Sequence, residues 1–367
     1  MRTFYVLSAV WLFTALTLTT PLLAKDLIVG QSLDLSGATN LGKDFSNGIR
    51  TYFDSVNARG GVRGRKIQLI QLDDGGRAAD AQINIEKLLR EQDADVLIAP
   101  TSAETLSAAA TMPKLRQSAL TVLGAPTGAE VDAGSGAFRV ITLRATFREE
   151  AKSLLDTLRT FNDGALALVR GDGPDASASH AALREEVLAR QLKVAFEGTT
   201  AQWVATKPST ERIGAVIISG DAIGAMPALQ QARRAAPQAI LMGFSTVDHR
   251  TLLELLGTAA KGMMITQVVP PPGKTIYPFQ REHRALMKQY RDEPPSQHTL
   301  EGYIVARYLV AAYERVDGEP TPAKITSALR AVGAMDFGPM RISPRAENGS
   351  NRYVDITAIS SKGGLVE

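Results

Sequence analysis

The stretch DVLIAPTSAETLSAAATMPKLRQSALTVLG, residues 95–124, sets the fold class. Its first residues are an apolar run of strand length, read as a strand over residues 95–99. Residues 105–115 carry apolar side chains at helical spacing, and residues 119–124 return to an apolar run closed by Gly124. Strand, helix and strand in such short succession make a crossover unit, which places the two strands side by side and parallel.

The same rhythm extends outward in both directions. Upstream, Leu27, Ile28 and Val29 form a strand ending at Gly30, and Phe45, Ile49, Phe53 and Val56 share one helical face. A strand over residues 67–72 and a helix through Ile83 and Leu88 follow. After Phe138 the alternation restarts. Thr146 and Glu149 have capping-box spacing, and Ala151, Leu154, Leu155, Leu158 and Phe161 form one stripe. Strands are expected at residues 165–169, 215–218 and 239–243. The final third predicts a long helix through Leu300, Tyr303, Ile304, Tyr308 and Ala311, and another opening at Thr321-Pro322. Strand-like pieces at residues 340–342 and 353–359 close the chain, and residues 270–273 (PPPG) read as a stiff loop. A chain of 367 residues exceeds what one core sustains, so two α/β units are expected.

Composition narrows the function. With 22% charged and 44% apolar residues the chain is ordinary globular protein. Its formal charge of +3 is spread along the sequence, without the basic face that nucleic-acid binding requires. There is no cysteine, which removes disulfides, cysteine-based metal sites and a lipidated N-terminal cysteine. Arg2, an apolar run from Phe4 to Leu18, and a small-residue junction at Ala24/Lys25 have the layout of a cleaved secretory signal over residues 1–24. The product is expected to be a soluble, exported monomer.

Several stretches imitate chemistry. Residues 37–43 (GATNLGK) fit the first positions of a phosphate-binding loop, but Asp44 stands where Ser or Thr must follow. Residues 59–65 (RGGVRGR) are explained by glycine turns, and Asp73 and Asp74 precede Gly75-Gly76, where Asp caps its own turn. His180, His249, His283 and His298 share no metal-binding spacing, and no nucleophile elbow is present. No catalytic group, metal or cofactor is assigned.

Other residues carry a resemblance. The opening strand with Leu35-Ser36-Gly37 and Gly42, the helix ending Val56-Asn57-Ala58-Arg59-Gly60-Gly61, and Leu72-Asp73-Asp74-Gly75 belong to it. So do Leu300-Glu301-Gly302-Tyr303 and Asn348-Gly349-Ser350. Together they resemble the branched-chain amino-acid-type (leucine/isoleucine/valine-binding-like) periplasmic solute-binding proteins of ABC transporters. That resemblance implies the type I periplasmic binding fold, two α/β lobes joined by three crossings and closing on a ligand. Lobe 1 would hold residues 25–141 and 268–335, and lobe 2 residues 142–267 and 336–367. It implies a receptor, not an enzyme, that delivers a small polar ligand (amino acid, carboxylate or amide) to membrane permease and ATPase subunits. A periplasmic receptor serving a sensor or chemotaxis system is the alternative, and a secreted α/β enzyme a more distant one.

The resemblance also implies a site. A ligand carboxylate would sit at the helix start after a lobe 1 strand, at Thr101, Ser102 and Thr105, where free amides favour an anion. Thr101 and Glu104 also have capping-box spacing, which favours Ser102 over Thr101 as the contact. The Ala125 carbonyl and Thr127 hydroxyl would complete that half. On lobe 2, Asp221 replaces a tyrosine, Ser245 replaces an acid that grips an ammonium, and Asp175-Ala176 replace a Tyr-Gly pair. Either Asp221 takes over the pairing with a ligand amine, or the ligand is not a standard α-amino acid.

Overall fold

The computed structural model describes residues 25–366 apart from 99, 162–163, 207–211, 344–350 and 361–363. The expected signal segment, residues 1–24, and the Asn348-Gly349-Ser350 motif lie outside the described residues. The first lobe begins with β1 (Leu27–Leu33), α1 (Leu41–Ala58), β2 (Ile67–Asp73) and α2 (Ala78–Arg90). It continues through β3 (Val96–Ile98), α3 (Ala103–Ala110), α4 (Pro113–Arg116), β4 (Thr121–Leu123) and β5 (Arg139–Ile141). The helix expected as one piece over residues 105–115 is thus two. Met112 is extended and Pro113 opens the second helix, because a residue before proline is pushed out of the helical region.

The second lobe takes α5 (Phe147–Phe161), β6 (Ala165–Arg170), α6 (Ala176–Ala189), β7 (Val194–Thr199) and α7 (Thr200–Ala205). Then come β8 (Ile213–Ser219), α8 (Ala222–Ala235), β9 (Ile240–Gly243), α9 (His249–Leu256) and β10 (Met264–Gln267). The chain returns to the first lobe for α10 (Pro278–Tyr290), α11 (Gln297–Tyr313) and α12 (Pro322–Ala331). A hairpin of β11 (Met335–Phe337) and β12 (Met340–Ile342) follows, and β13 (Asp355–Ile359) and β14 (Leu365–Val366) end in the second sheet. Phe337, Met340 and Ile342 lie in the same core as Leu300 and Tyr303. The hairpin therefore packs on the core built by α1 and α11.

The first sheet has the order β2-β1-β3-β4-β5 and is parallel throughout. The second has the order β14-β13-β10-β9-β8-β6-β7, parallel except where β13 and β14 join antiparallel. Alternate residues of a strand face opposite sides. Val96 and Ile98 accordingly pack under α1 and α11, and Leu97 packs under α2 and α3. In β8, Val216 and Ile218 face α8 while Ala215 and Ile217 face α5 and α6. Both faces buried require both side-chain sets to be apolar, which is why these strands read as continuous apolar runs.

In the first lobe α1 and α11 touch backbone to backbone. A Cβ added at Gly48 would lie 1.9 Å from the Thr299 carbonyl oxygen, and one at Gly302 2.0 Å from that of Phe45. Only glycine admits this approach.

Candidate ligand-binding cleft

Each sheet reverses its strand order once, between β1 and β3 in the first and between β6 and β8 in the second. Loops leaving the strand ends on either side of such a point part in opposite directions and open a crevice. Both crevices face one cavity of about 120 Å³. The first lobe lines it with Asp34 after β1, Ala38 and Thr39 before α1, and Thr101 and Ser102 after β3. The second lobe supplies Pro174 and Asp175 after β6, Asp221 and Ile223 at the start of α8, and Thr246 and Asp248 after β9. Four of the lining residues are aspartates and none is Lys, Arg or His.

Helix caps fix most of these side chains. Ser102 is extended (φ −142°, ψ 166°), and its hydroxyl accepts the Thr105 N–H at 3.2 Å. The Thr105 hydroxyl in turn accepts the Ser102 N–H at 3.2 Å. The capping box is therefore Ser102/Thr105, one residue beyond the Thr101/Glu104 spacing. Thr101 instead accepts the Asp34 N–H at 3.4 Å, and Glu104 is exposed. Across the cleft, Asp221 accepts the Gly224 N–H at 2.8 Å, and Asp248 accepts the Thr251 N–H at 2.9 Å and its hydroxyl at 2.7 Å. Burial raises the Asp221 carboxyl above its usual range. Burial also opposes ionisation of Asp248, but His298 and the Thr251 donors outweigh it and hold that carboxyl low.

Asp175 behaves differently. It too precedes a helix, yet its ψ of −6° is helical rather than extended, so its side chain turns away from the α6 amides. Its Oδ1 accepts the Ala103 N–H at the start of α3 and the Thr127 hydroxyl, both at 2.7 Å. Both donors belong to the first lobe. Burial pushes the Asp175 carboxyl up to about 6, against the two hydrogen bonds and the more distant Arg144.

Behind the cavity, on the hinge side, Arg144 ties the lobes together. One guanidinium nitrogen, Nη1, donates to the Pro126 carbonyl at 3.0 Å and lies 3.4 Å from Glu301. The other, Nη2, donates to Glu150 at 3.0 Å and to the Ser245 hydroxyl at 2.5 Å. Glu150 also accepts the Ser245 N–H at 2.9 Å and the Thr266 hydroxyl at 2.5 Å. Burial would raise Glu301, but Arg144 and His298 reverse the shift and keep it low.

Of the residues expected at the site, Thr101, Ser102 and Asp221 line the cavity. Thr105 is consumed by the cap of α3, Thr127 by Asp175, and Ser245 by Arg144. Ala125 borders a separate space of about 10 Å³ beside Arg144 and Glu301. The sequence reading missed Asp248, Arg144 and Glu150. It met Asp175 only as a departure from a family pattern, the one signal that could have marked it. Among the described residues no group of three or more His, Asp or Glu side chains is placed to hold a metal ion.

Comparison with known proteins fits this geometry. A possible leucine/isoleucine/valine-binding protein from Rhodopirellula baltica superposes with a TM-score of 0.82 at 26% identity, over 95% of this chain and 98% of its own. An extracellular ligand-binding receptor from Verminephrobacter eiseniae shares the fold, with TM-score 0.82, 22% identity and coverage of 93% and 100%. So does a branched-chain amino acid transporter substrate-binding protein from Streptococcus pneumoniae in complex with isoleucine, with TM-score 0.78, 14% identity and coverage of 93% and 98%. No curated protein sequence matches the chain. Residues 27–362 match the family described as periplasmic binding protein, and the chain belongs to that family.

Proposed function

We propose that the chain is the periplasmic solute-binding component of an ABC uptake transporter. It holds a small polar ligand between its lobes and presents it to membrane permease and ATPase subunits. One observation carries this reading: the switch-point crevices of both sheets open onto a single cavity, where two rigid bodies can enclose a solute. The similarity to the Rhodopirellula and Streptococcus proteins supports the same role. We take the lobes as residues 25–141 with 268–335 and the β11–β12 hairpin, and residues 142–267 with the strands after it. Thr101, Ser102 and Asp221 are the expected residues retained as ligand contacts. Thr105, Ala125, Thr127 and Ser245 stand behind them as support.

The test is a thermal-shift screen of the purified protein against amines, amides, amino acids and carboxylates, followed by calorimetry of the best hit. At a thousandfold excess over Kd a ligand adds about 4 kcal/mol of stability. Ala38→Trp fills the cavity mouth from an exposed loop position and is expected to abolish binding while the protein stays folded. Unchanged affinity in that variant would place the ligand elsewhere.

A further inference from the structure

Three aspartates of the second lobe precede helices at the cleft, and two of them cap their own helix. Asp175 does not, and instead spends both 2.7 Å hydrogen bonds on the other lobe. The donors it takes, a first-turn helix amide and a neighbouring hydroxyl, are the pair that an incoming carboxylate would need. Asp175 is 5% exposed and Thr127 fully buried, so the contact lies inside the closed cleft.

We propose that Asp175 is a tethered stand-in for a ligand carboxylate: it fills the anion seat of the first lobe from within, so the cleft selects a small amine that carries no carboxylate of its own. The remaining cavity suits that class. Asp34, Asp221 and Asp248 line it without any cationic side chain, and Ile223 adds an apolar contact. A second carboxylate would meet Asp175 at contact distance and find its donors taken. A cation meets these carboxylates and the hydroxyls of Thr39, Thr101, Ser102 and Thr246. The ligand class rests on the reading of the cleft as a solute site, whereas the seat is testable without any solute.

Acetate is the probe for the seat. Asp175→Gly removes the occupant and keeps a residue tolerated at a helix start. In this variant acetate is expected to bind saturably and raise Tm on the order of 3 °C, with sodium chloride at equal ionic strength as control. The wild type is expected not to respond, and Thr127→Val added to Asp175→Gly is expected to remove the response. Asp175→Ala repeats the measurement should the glycine variant not fold. Acetate stabilising the wild type equally, or stabilising neither variant, overturns the proposal. For the ligand class, leucinamide and leucine are titrated against the wild type. Leucine binding as tightly as leucinamide, or more tightly, refutes selection against carboxylates. A solute screen without hits would count against the cleft reading and leave the acetate result intact, so the two ideas fail separately.

Discussion

Across the cleft the first lobe presents donors and a single acid, Asp34, and the second presents three acids. The first offers the α3 amide at Ala103 and the hydroxyls of Thr101, Ser102 and Thr127, while the second offers Asp175, Asp221 and Asp248. The two faces therefore complement each other before any solute is considered. Where a donor of one lobe already meets an acid of the other, as at Asp175, that group belongs to closure. In the proposed reading, specificity falls to the acids left over. On the hinge side Arg144 is already paired with Glu150 and Glu301, and His298 lies 4.0 Å from Asp248.

The hinge gives the largest effect. Arg144→Met strips the buried Glu150 of its cation and leaves the buried Glu301 with His298 alone. The expected loss is about 3–5 kcal/mol in urea denaturation, because uncompensated buried charge is costly. A loss below about 1 kcal/mol would mean that water reaches these acids and the lobes do not share a dry hinge.

The next effect separates Asp175 from the self-capped aspartates. Its carboxyl is held at about 6 in the folded protein against 3.8 when free, so the fold binds this proton more tightly than the unfolded chain. The stabilisation is complete below pH 4 and is lost as pH rises through 6. For the difference between wild type and Asp175→Asn this amounts to on the order of 3 kcal/mol, opposed by Arg144 and reinforced by Glu150. Chemical denaturation of both proteins from pH 4 to 7 measures it. Parallel pH profiles would show that Asp175 is solvated and does not bridge the lobes.

A core substitution asks whether the lobes are independent. Gly302→Ala drives a methyl into the Phe45 carbonyl and is expected to cost about 1–3 kcal/mol. Hydrogen exchange should rise in α1 and α11 and stay low in β6 and β8 if each lobe has its own core. Equal loss in both lobes would join them into one cooperative unit. The smallest effect is expected at the cleft rim, where Arg250 of the second lobe pairs with Asp44 of the first at 3.1 Å. Arg250→Ala should cost less than about 1 kcal/mol and lose even that in high salt.

The sequence by itself determined the α/β class, the two-unit organisation and most elements, because burial on both sheet faces is written locally as apolar runs and helical stripes. The stripe of Ala151, Leu154, Leu155 and Leu158 is buried as expected, and Thr321 caps the helix opened by Pro322. Five strands escaped: β5, β11 and β14 are only two or three residues long, β7 is an edge strand interrupted by Glu197, and β10 carries Thr266 and Gln267 turned inward. Thr101 and Ser102 were legible as candidates because a helix start after a strand is a local signal. What only the tertiary structure decided is which partner each polar side chain takes. Asp175 meets donors 72 and 48 residues away, and Arg144 meets Ser245 and Glu301 across 101 and 157 residues. A carboxylate looks the same in sequence whether it caps its own helix, faces a cavity or bridges two lobes. Its role here follows from a single backbone torsion at Asp175 and from the position of the facing lobe, and neither is encoded in neighbouring residues.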